Sequence, residues 1–232
     1  MKKVVLFDLG NTLIQYYGRA EFPDILKQAI GGVQEYLRDE GIPNPSTESI
    51  WQRVEEDNHE VEDHRVRPLE GRLIRIFQLD NPSDEVVMGA CRRFMKPIFA
   101  IARRYDDALP VLKELGEMGI RRAIVSNTAW GSPAVLWREE LARFGLDKHV
   151  DAAFFCRDAG WRKPARQIFD FILDKLQEKP EDCIFVGDDP RWDLVGPRAV
   201  GIEAVLINRQ GTMEDLREKP IKNLHELINR LD

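Results

Sequence analysis

Asp8 closes the apolar run Val4-Val5-Leu6-Phe7 and opens the turn Leu9-Gly10-Asn11-Thr12. A carboxylate there projects from the C-terminal edge of a buried strand, where open α/β sheets place their ligands. It can act as a nucleophile and split one hard displacement into two easier ones. Asp188 and Asp193 follow a second apolar run, Cys183-Ile184-Phe185-Val186-Gly187, and are expected at another strand's edge near Asp8. Carboxylate oxygens are hard donors that suit Mg2+, which one or two such groups hold together with waters and substrate phosphate. Lys163, just before Pro164, offers a compact cation to balance an anion beside several aspartates. Ser126 follows Ile124-Val125, and its hydroxyl and the Asn127 amide can donate hydrogen bonds to oxygens that gain charge.

Each segment also has a plainer reading. An aspartate after a strand is often a turn former or a helix cap, and Asp188-Asp189-Pro190 alone is an acidic turn. Ser126-Asn127-Thr128 alone is a loop, and a lysine is usually a solvated charge. The chemical reading rests on all four segments occurring in one chain.

The elements that must position them follow from periodicity. Residues 3–8 read as a buried strand. From about 17 to 100 the β-branched runs vanish and apolar residues recur at helical spacing, as in Phe22, Ile25, Leu26, Ala29 and Ile30. This predicts a helical segment of roughly four helices. After it, strands and helices alternate: helix 109–118, strand 122–125, a helix capped by Ser132 with Pro133 at its first position, strand 152–155, helix 164–176, strand 183–186, helix 194–200 and strand 204–207. A terminal amphipathic helix is expected over 224–231. Repeated strand–helix units imply a parallel sheet with right-handed crossovers.

Taken in order, the four segments resemble those of the haloacid dehalogenase-like hydrolase superfamily, in its phosphatase branch. The resemblance implies a Rossmann-like parallel sheet flanked by helices, with an inserted α-helical cap subdomain. The core would comprise residues 1–16 and 101–232 and the cap 17–100. The gap from Asp8 to Ser126 is far longer than that from Ser126 to Lys163, which places the insertion after the first motif. The implied catalytic residues are Asp8, Ser126 and Lys163. Phosphate would be held by Thr12, Ser126, Asn127 and Lys163. Mg2+ would be bound by Asp8, the Gly10 carbonyl, Asp188 and, directly or through water, Asp193. The implied reaction is hydrolysis of a small phosphomonoester through an aspartyl-phosphate.

Gly10 departs from that pattern. Phosphatases of this superfamily use an aspartate two residues after the nucleophile to protonate the leaving group and activate water, and glycine can do neither. The remaining readings are a good leaving group or a proton relayed by water or a cap residue, a 2-haloacid dehalogenase, a catalytically weak member that binds a phosphorylated ligand or protein, and another phosphoryl transfer. Retention of Gly187-Asp188 favours a metal site and counts against the dehalogenase.

Substrate contacts are expected near the cap hinges, from Gln15, Tyr16, Tyr17 and Arg19, and from His64, Arg65, Arg67, Glu70 and Arg72 in the cap. The stretch His64–Pro68 reads first as a solvated basic turn and second as a site for an anionic substrate tail. Arg162 reads as a solvated charge. Trp130 and Trp161 are either pocket walls or ordinary packing. His59 and His64 lack a metal-ligand spacing.

Composition bounds the rest. Hydrophobic residues make up 43% of the chain, enough for a packed core. Net charge is -6 with no dense basic block, which disfavours nucleic acid as a partner. No run reaches membrane-spanning length. The first apolar run is too short for a signal peptide. The three cysteines are scattered in apolar stretches and read as buried thiols. A cytoplasmic monomer or homodimer acting on a small phosphorylated metabolite is expected.

Overall fold

The computed structural model describes residues 2–58, 62–209, 211 and 219–231. In chain order the elements are β1 (Val4–Phe7), β2 (Ile14–Gln15), α1 (Phe22–Asp39), α2 (Thr47–Asp57), α3 (Leu69–Phe77), α4 (Asp84–Ala100), β3 (Arg103–Arg104), α5 (Ala108–Glu117) and β4 (Arg121–Ser126). They continue with α6 (Ala134–Arg143), β5 (Ala152–Phe155), α7 (Cys156–Ala159), α8 (Arg166–Leu176), β6 (Cys183–Gly187), α9 (Val195–Ala199), β7 (Glu203–Leu206) and α10 (His225–Ile228). Short 3-10 turns and one π turn, Pro190–Leu194, join them.

Five strands form one parallel sheet in the order β5-β4-β1-β6-β7. β1 is central, with Phe7 level with Ile124 of β4 and Val186 of β6. Successive side chains leave a strand on opposite faces. Val5 and Phe7 therefore enter one core cluster, with α1, α4 and α5, while Val4 and Leu6 enter another with Phe169 and Ile172 of α8. Both faces are covered, so the inner strands are continuous apolar runs rather than alternating ones. β1 is buried throughout. The fold is an α/β Rossmann-like sheet flanked by helices.

The helices α1 to α4 lie between β2 and β3, which pair antiparallel with Ile14 opposite Arg104. Entry to and exit from the helical segment thus share one short ribbon beside the first loop. Ser46 and Ser83 cap α2 and α4 by accepting from the amides of Ser49 and Val86. The long apolar face of α1 packs on α4.

Several boundaries differ from the expected ones. α6 begins at Ala134, and Ser132 does not cap it; its hydroxyl accepts from the Trp137 indole at 2.8 Å instead. α8 starts two residues after Pro164, because Ala165 is still extended. The expected terminal helix is a single turn, α10, since only Leu224, Leu227 and Leu231 of that stretch are buried. All three cysteines are buried and free. Among the described residues no helix is long and apolar enough to cross a membrane.

Candidate active site

The ends of three neighbouring strands and one loop converge. Asp8 follows β1 and continues its ladder by donating a hydrogen bond from its amide to the Val186 carbonyl at 2.8 Å. Asp188 follows β6, Ser126 ends β4, and Lys163 stands in the loop before α8. Lys163 is 1% exposed, and its ammonium donates to Asp8 Oδ1 at 2.6 Å and to Asp193 Oδ1 at 2.7 Å. Carboxylate oxygens of Asp8, Asp188 and Asp193 all come within 4.8 Å of one another.

Local structure explains this convergence. The Asn127 side chain accepts from the Lys163 amide at 2.8 Å and donates to the Lys163 carbonyl at 3.1 Å, which fixes the lysine's backbone beside β4. The Lys163–Pro164 peptide is cis. The π turn brings Asp193 back over the end of β6, where a Cβ on Gly187 would overlap its carboxylate. Asp193 Oδ2 accepts from the Asp189 amide at 3.0 Å, so both of its oxygens are engaged. Asp189 forms its own turn by accepting from the Arg191 amide.

Charge in the cluster is unbalanced, with three carboxylates around one ammonium. Burial pushes Asp188 up to about 8, and Asp8 and Asp193 add to it. Burial also raises Asp193, to about 6, although Lys163 opposes this. Burial works against the charged form of Lys163, but Asp193 and Asp8 outweigh it and hold the ammonium above its ordinary value.

These groups border a cavity of about 690 Å3. Asp8, Gly10, Ser126, Asn127, Lys163 and Asp188 line it. Asp193 does not; it lies behind Lys163, 1% exposed. Thr12 is not in the wall either. Its hydroxyl is buried without a hydrogen-bond partner among the described residues, and its carbonyl accepts from Arg209 at 2.6 Å. Arg209 also forms a bidentate pair with Asp107, both contacts 2.9 Å, which ties the loop after Asp8 to α5. Neither Arg209 nor Asp107 carries a sequence signal, because besides each other they meet backbone groups, the Thr12 carbonyl and the Leu224 amide.

Residues leading to α3 and the loop after Asp8 complete the wall of the cavity. Tyr16, Tyr17, His64, Arg65, Arg67 and Arg72 all line it. His64–Pro68 keeps Arg65 and Pro68 exposed, as a solvated stretch would, but it is tied down rather than free. Arg65 bridges Trp161 in antiparallel fashion, the Val66 amide donates to Gly160, and the Arg162 amide donates to His64. Glu70 does not face the cavity, because it is paired with Arg157 at 2.8 Å. Gln15 and Trp161 lie outside the wall, and Trp161 packs under the Arg65 guanidinium instead. Trp130 is a wall residue, and so is Arg162, which is only half-exposed. Trp137, Arg191 and Trp192 line the cavity without having been singled out from sequence. Arg19 starts a 3-10 turn, and His59 lies outside the described residues.

Tyr16 stands next to Gly10. A Cβ at position 10 would meet its ring edge at an ordinary 3.7 Å. The Tyr16 hydroxyl is buried and has no hydrogen-bond partner among the described residues. Burial, helped by Glu140, holds it well above the usual phenol value, so it stays protonated at neutral pH.

Comparison with known proteins identifies the family. The chain is 28% identical over 219 residues to a glyceraldehyde 3-phosphate phosphatase of Methanopyrus kandleri, spanning 94% of this chain and 89% of that one. It is 33% identical to (S)-2-haloacid dehalogenase 4A of Burkholderia cepacia, over 55% of this chain and 53% of that protein. Among solved structures, a haloacid dehalogenase-like phosphatase of Thermococcus onnurineus superposes with a TM-score of 0.67 at 25% identity, covering 99% and 97% of the two chains. The sequence pattern of the haloacid dehalogenase-like hydrolases matches residues 2–201. With that match over most of its length, and phosphatase relatives that support phosphoester hydrolysis, the chain belongs to the haloacid dehalogenase-like hydrolases.

Proposed function

We propose that this protein hydrolyses small phosphomonoesters with Mg2+, through an aspartyl-phosphate on Asp8. The observation that carries the reading is the unbalanced cluster at the cavity wall, in which Asp8 is held by Lys163 while Asp188 and Asp193 stand within 4.8 Å. The donor set fits a hard divalent cation, because three carboxylates exceed the one ammonium that neutralises them. Asp8 and Asp188, with the Gly10 carbonyl, would hold the ion. Asp193, whose oxygens are engaged by Lys163 and the Asp189 amide, would act through water. When bound, Mg2+ supplies positive charge to the phosphoryl oxygens.

The chain's own residues do the rest. Lys163 orients the Asp8 carboxylate, whose oxygen bonds to phosphorus as the substrate's ester oxygen departs. Ser126 and the Asn127 amide receive the phosphoryl oxygens, the groups that gain charge most. Water then attacks the phosphorus and frees Asp8. Gly10 offers no proton to the departing oxygen, so turnover is expected to depend steeply on the leaving group. Residues 64–66 pair with 160–162, which places His64, Arg65 and Arg162 together at the cavity wall. The cap of residues 17–100 would open and close over the core of 1–16 and 101–232 at the ribbon of β2 and β3.

Carbon–halogen hydrolysis is the second reading, and Gly10 favours it, since that chemistry needs no acid there. The acidic cluster opposes it, because its excess charge calls for a cation. Phosphate release from a panel of phosphorylated metabolites, measured with Mg2+ and with chelator, tests the choice. Release that needs Mg2+ supports the phosphatase. Chloride release from 2-haloacids without metal, and no phosphate release, would replace it.

A further inference from the structure

We infer that the cavity has a second, cationic pole, built from Arg72 and Arg162, that selects phosphomonoesters bearing a further anionic group, a carboxylate or a second phosphate. The inference rests on the phosphatase reading and names the substrate class for it.

Arg72 projects from α3 into the cavity wall although it is only 7% exposed. Its guanidinium lies 4.1 Å over the Trp130 ring. Its polar atoms meet backbone oxygens: Nη1 reaches the Trp130 carbonyl at 3.4 Å and Nη2 the Asp57 carbonyl. Among the described residues Nε has no hydrogen-bond partner. Asp57 forms an ion pair with it at 3.8 Å, too long for a hydrogen bond, and accepts two hydrogen bonds from Arg75 instead, at 3.1 and 3.2 Å. A buried charge is usually paired by a hydrogen-bonded counter-ion, and here that pairing is incomplete.

Arg162 lines the same cavity from the loop before α8. Among the described residues its guanidinium reaches only the Thr128 carbonyl, at 3.5 Å. It stands close enough to Arg72 to oppose the latter's charge. Burial lowers Arg72 to about 10, with Arg162 and Arg67 adding to it against Asp57. Bringing like charges together around an enclosed space is unfavourable unless an anion joins them.

The local backbone is built for this approach. Trp130 is left-handed, at φ 52°, a conformation costly for a bulky residue and common at binding sites. Next to it, a Cβ on Gly131 would overlap the Arg67 carbonyl, so only glycine lets the segment leading to α3 lie against the β4 loop. This pole is distinct from the acidic one. Arg72 stands on α3 and reaches the Trp130 and Asp57 carbonyls, while Lys163 joins Asp8 and Asp193 beyond the ends of β1 and β6. A phosphate held at Asp8 and Lys163 would leave the arginine pole for the other end of the same molecule. Planar guanidinium forks suit a carboxylate or a phosphate there.

The test is phosphate release with Mg2+ from matched pairs: phosphoglycolate against ethyl phosphate, 3-phosphoglycerate against glycerol 1-phosphate, and a ketose bisphosphate against the monophosphate. The anionic member of at least one pair should lead in kcat/KM by roughly 10- to 100-fold, as for a hydrogen-bonded charge. The carboxylate and bisphosphate pairs show which anion is preferred. Arg72→Gln should collapse the preference, Arg72→Lys should keep part of it, and Arg162→Gln should lower it while the protein stays folded by its melting curve. Equal rates within every pair, or a preference that survives both Arg162→Gln and Arg72→Lys in full, would overturn the inference. If no compound releases phosphate, the phosphatase reading fails on its own. The pole is then judged by calorimetry on Asp8→Asn with phosphoglycolate and ethyl phosphate. Binding at least about tenfold tighter for phosphoglycolate that Arg72→Lys weakens would support it, and equal binding would overturn it.

Discussion

The side chain of Asn127 holds both backbone polar groups of Lys163, accepting from its amide at 2.8 Å and donating to its carbonyl at 3.1 Å. The ammonium that meets Asp8 and Asp193 is therefore placed by a residue on another strand's loop. Asn127→Ala leaves both groups without that partner and should cost about 1–3 kcal/mol of stability. Turnover should fall further than stability does, because Lys163 then orients Asp8 poorly. Urea unfolding and kcat on the same preparation check both. An unchanged kcat would show that Lys163 is placed by other contacts.

Metal dependence should vary with pH. Burial and neighbouring carboxylates raise Asp188 to about 8 and Asp193 to about 6, above the ordinary 3.8. Between those values the folded protein binds protons that the unfolded chain has released, so metal-free stability falls as pH rises from about 4 to 8. Mg2+ binding requires those protons to leave and offsets the repulsion. The rise in melting temperature on adding Mg2+ should therefore be larger at pH 8 than at pH 5.5. An equal rise at both would separate the ion from these carboxylates.

Much of this was legible before the structure. Unbroken apolar runs ending in Asp8, Ser126 and Gly187 mark strands buried on both faces, and a parallel sheet brings their ends together. The helical spacing between Phe22 and Phe94 marks the four helices. What sequence did not reveal depends on contacts between distant segments. The antiparallel pairing of Arg65 with Trp161 turns a basic stretch into part of the cavity wall, and no periodicity encodes a single bridge. Arg209 reaches the Thr12 carbonyl and the Asn127 side chain holds the amide and carbonyl of Lys163, and every residue possesses such backbone groups. The end of the chain misled because Leu224, Leu227 and Leu231 keep helical spacing while only one turn forms.

Gly187 is required by a neighbour rather than by its own backbone. A Cβ there overlaps the Asp193 carboxylate, which must then leave Lys163 or displace β6. Gly187→Ala should cost about 1–3 kcal/mol, as for overpacking, and lower kcat on the order of 10²-fold, the effect of a small misplacement at the chemistry. A thermal melt with a phosphate-release assay tests both. Full activity would mean that Asp193 need not contact Lys163.

Position 10 has room for the missing acid, since the nearest atom to a new Cβ is the Tyr16 ring at 3.7 Å. General acid–base catalysis contributes roughly 10²–10⁴-fold. Gly10→Asp should therefore accelerate hydrolysis of alkyl phosphates at least about tenfold and that of nitrophenyl phosphate little, because nitrophenolate leaves without a proton. Equal effects on both substrates would show that the proton on the leaving group does not limit turnover.

Hydrolysis at this site turns on covalent chemistry at Asp8. The most direct measurement is mass spectrometry of acid-quenched protein during turnover with Mg2+. One phosphoryl group should appear on the peptide that contains Asp8, only with substrate and metal, and never in Asp8→Asn. Phosphate release that leaves this peptide unmodified and proceeds undiminished in Asp8→Asn would contradict the account.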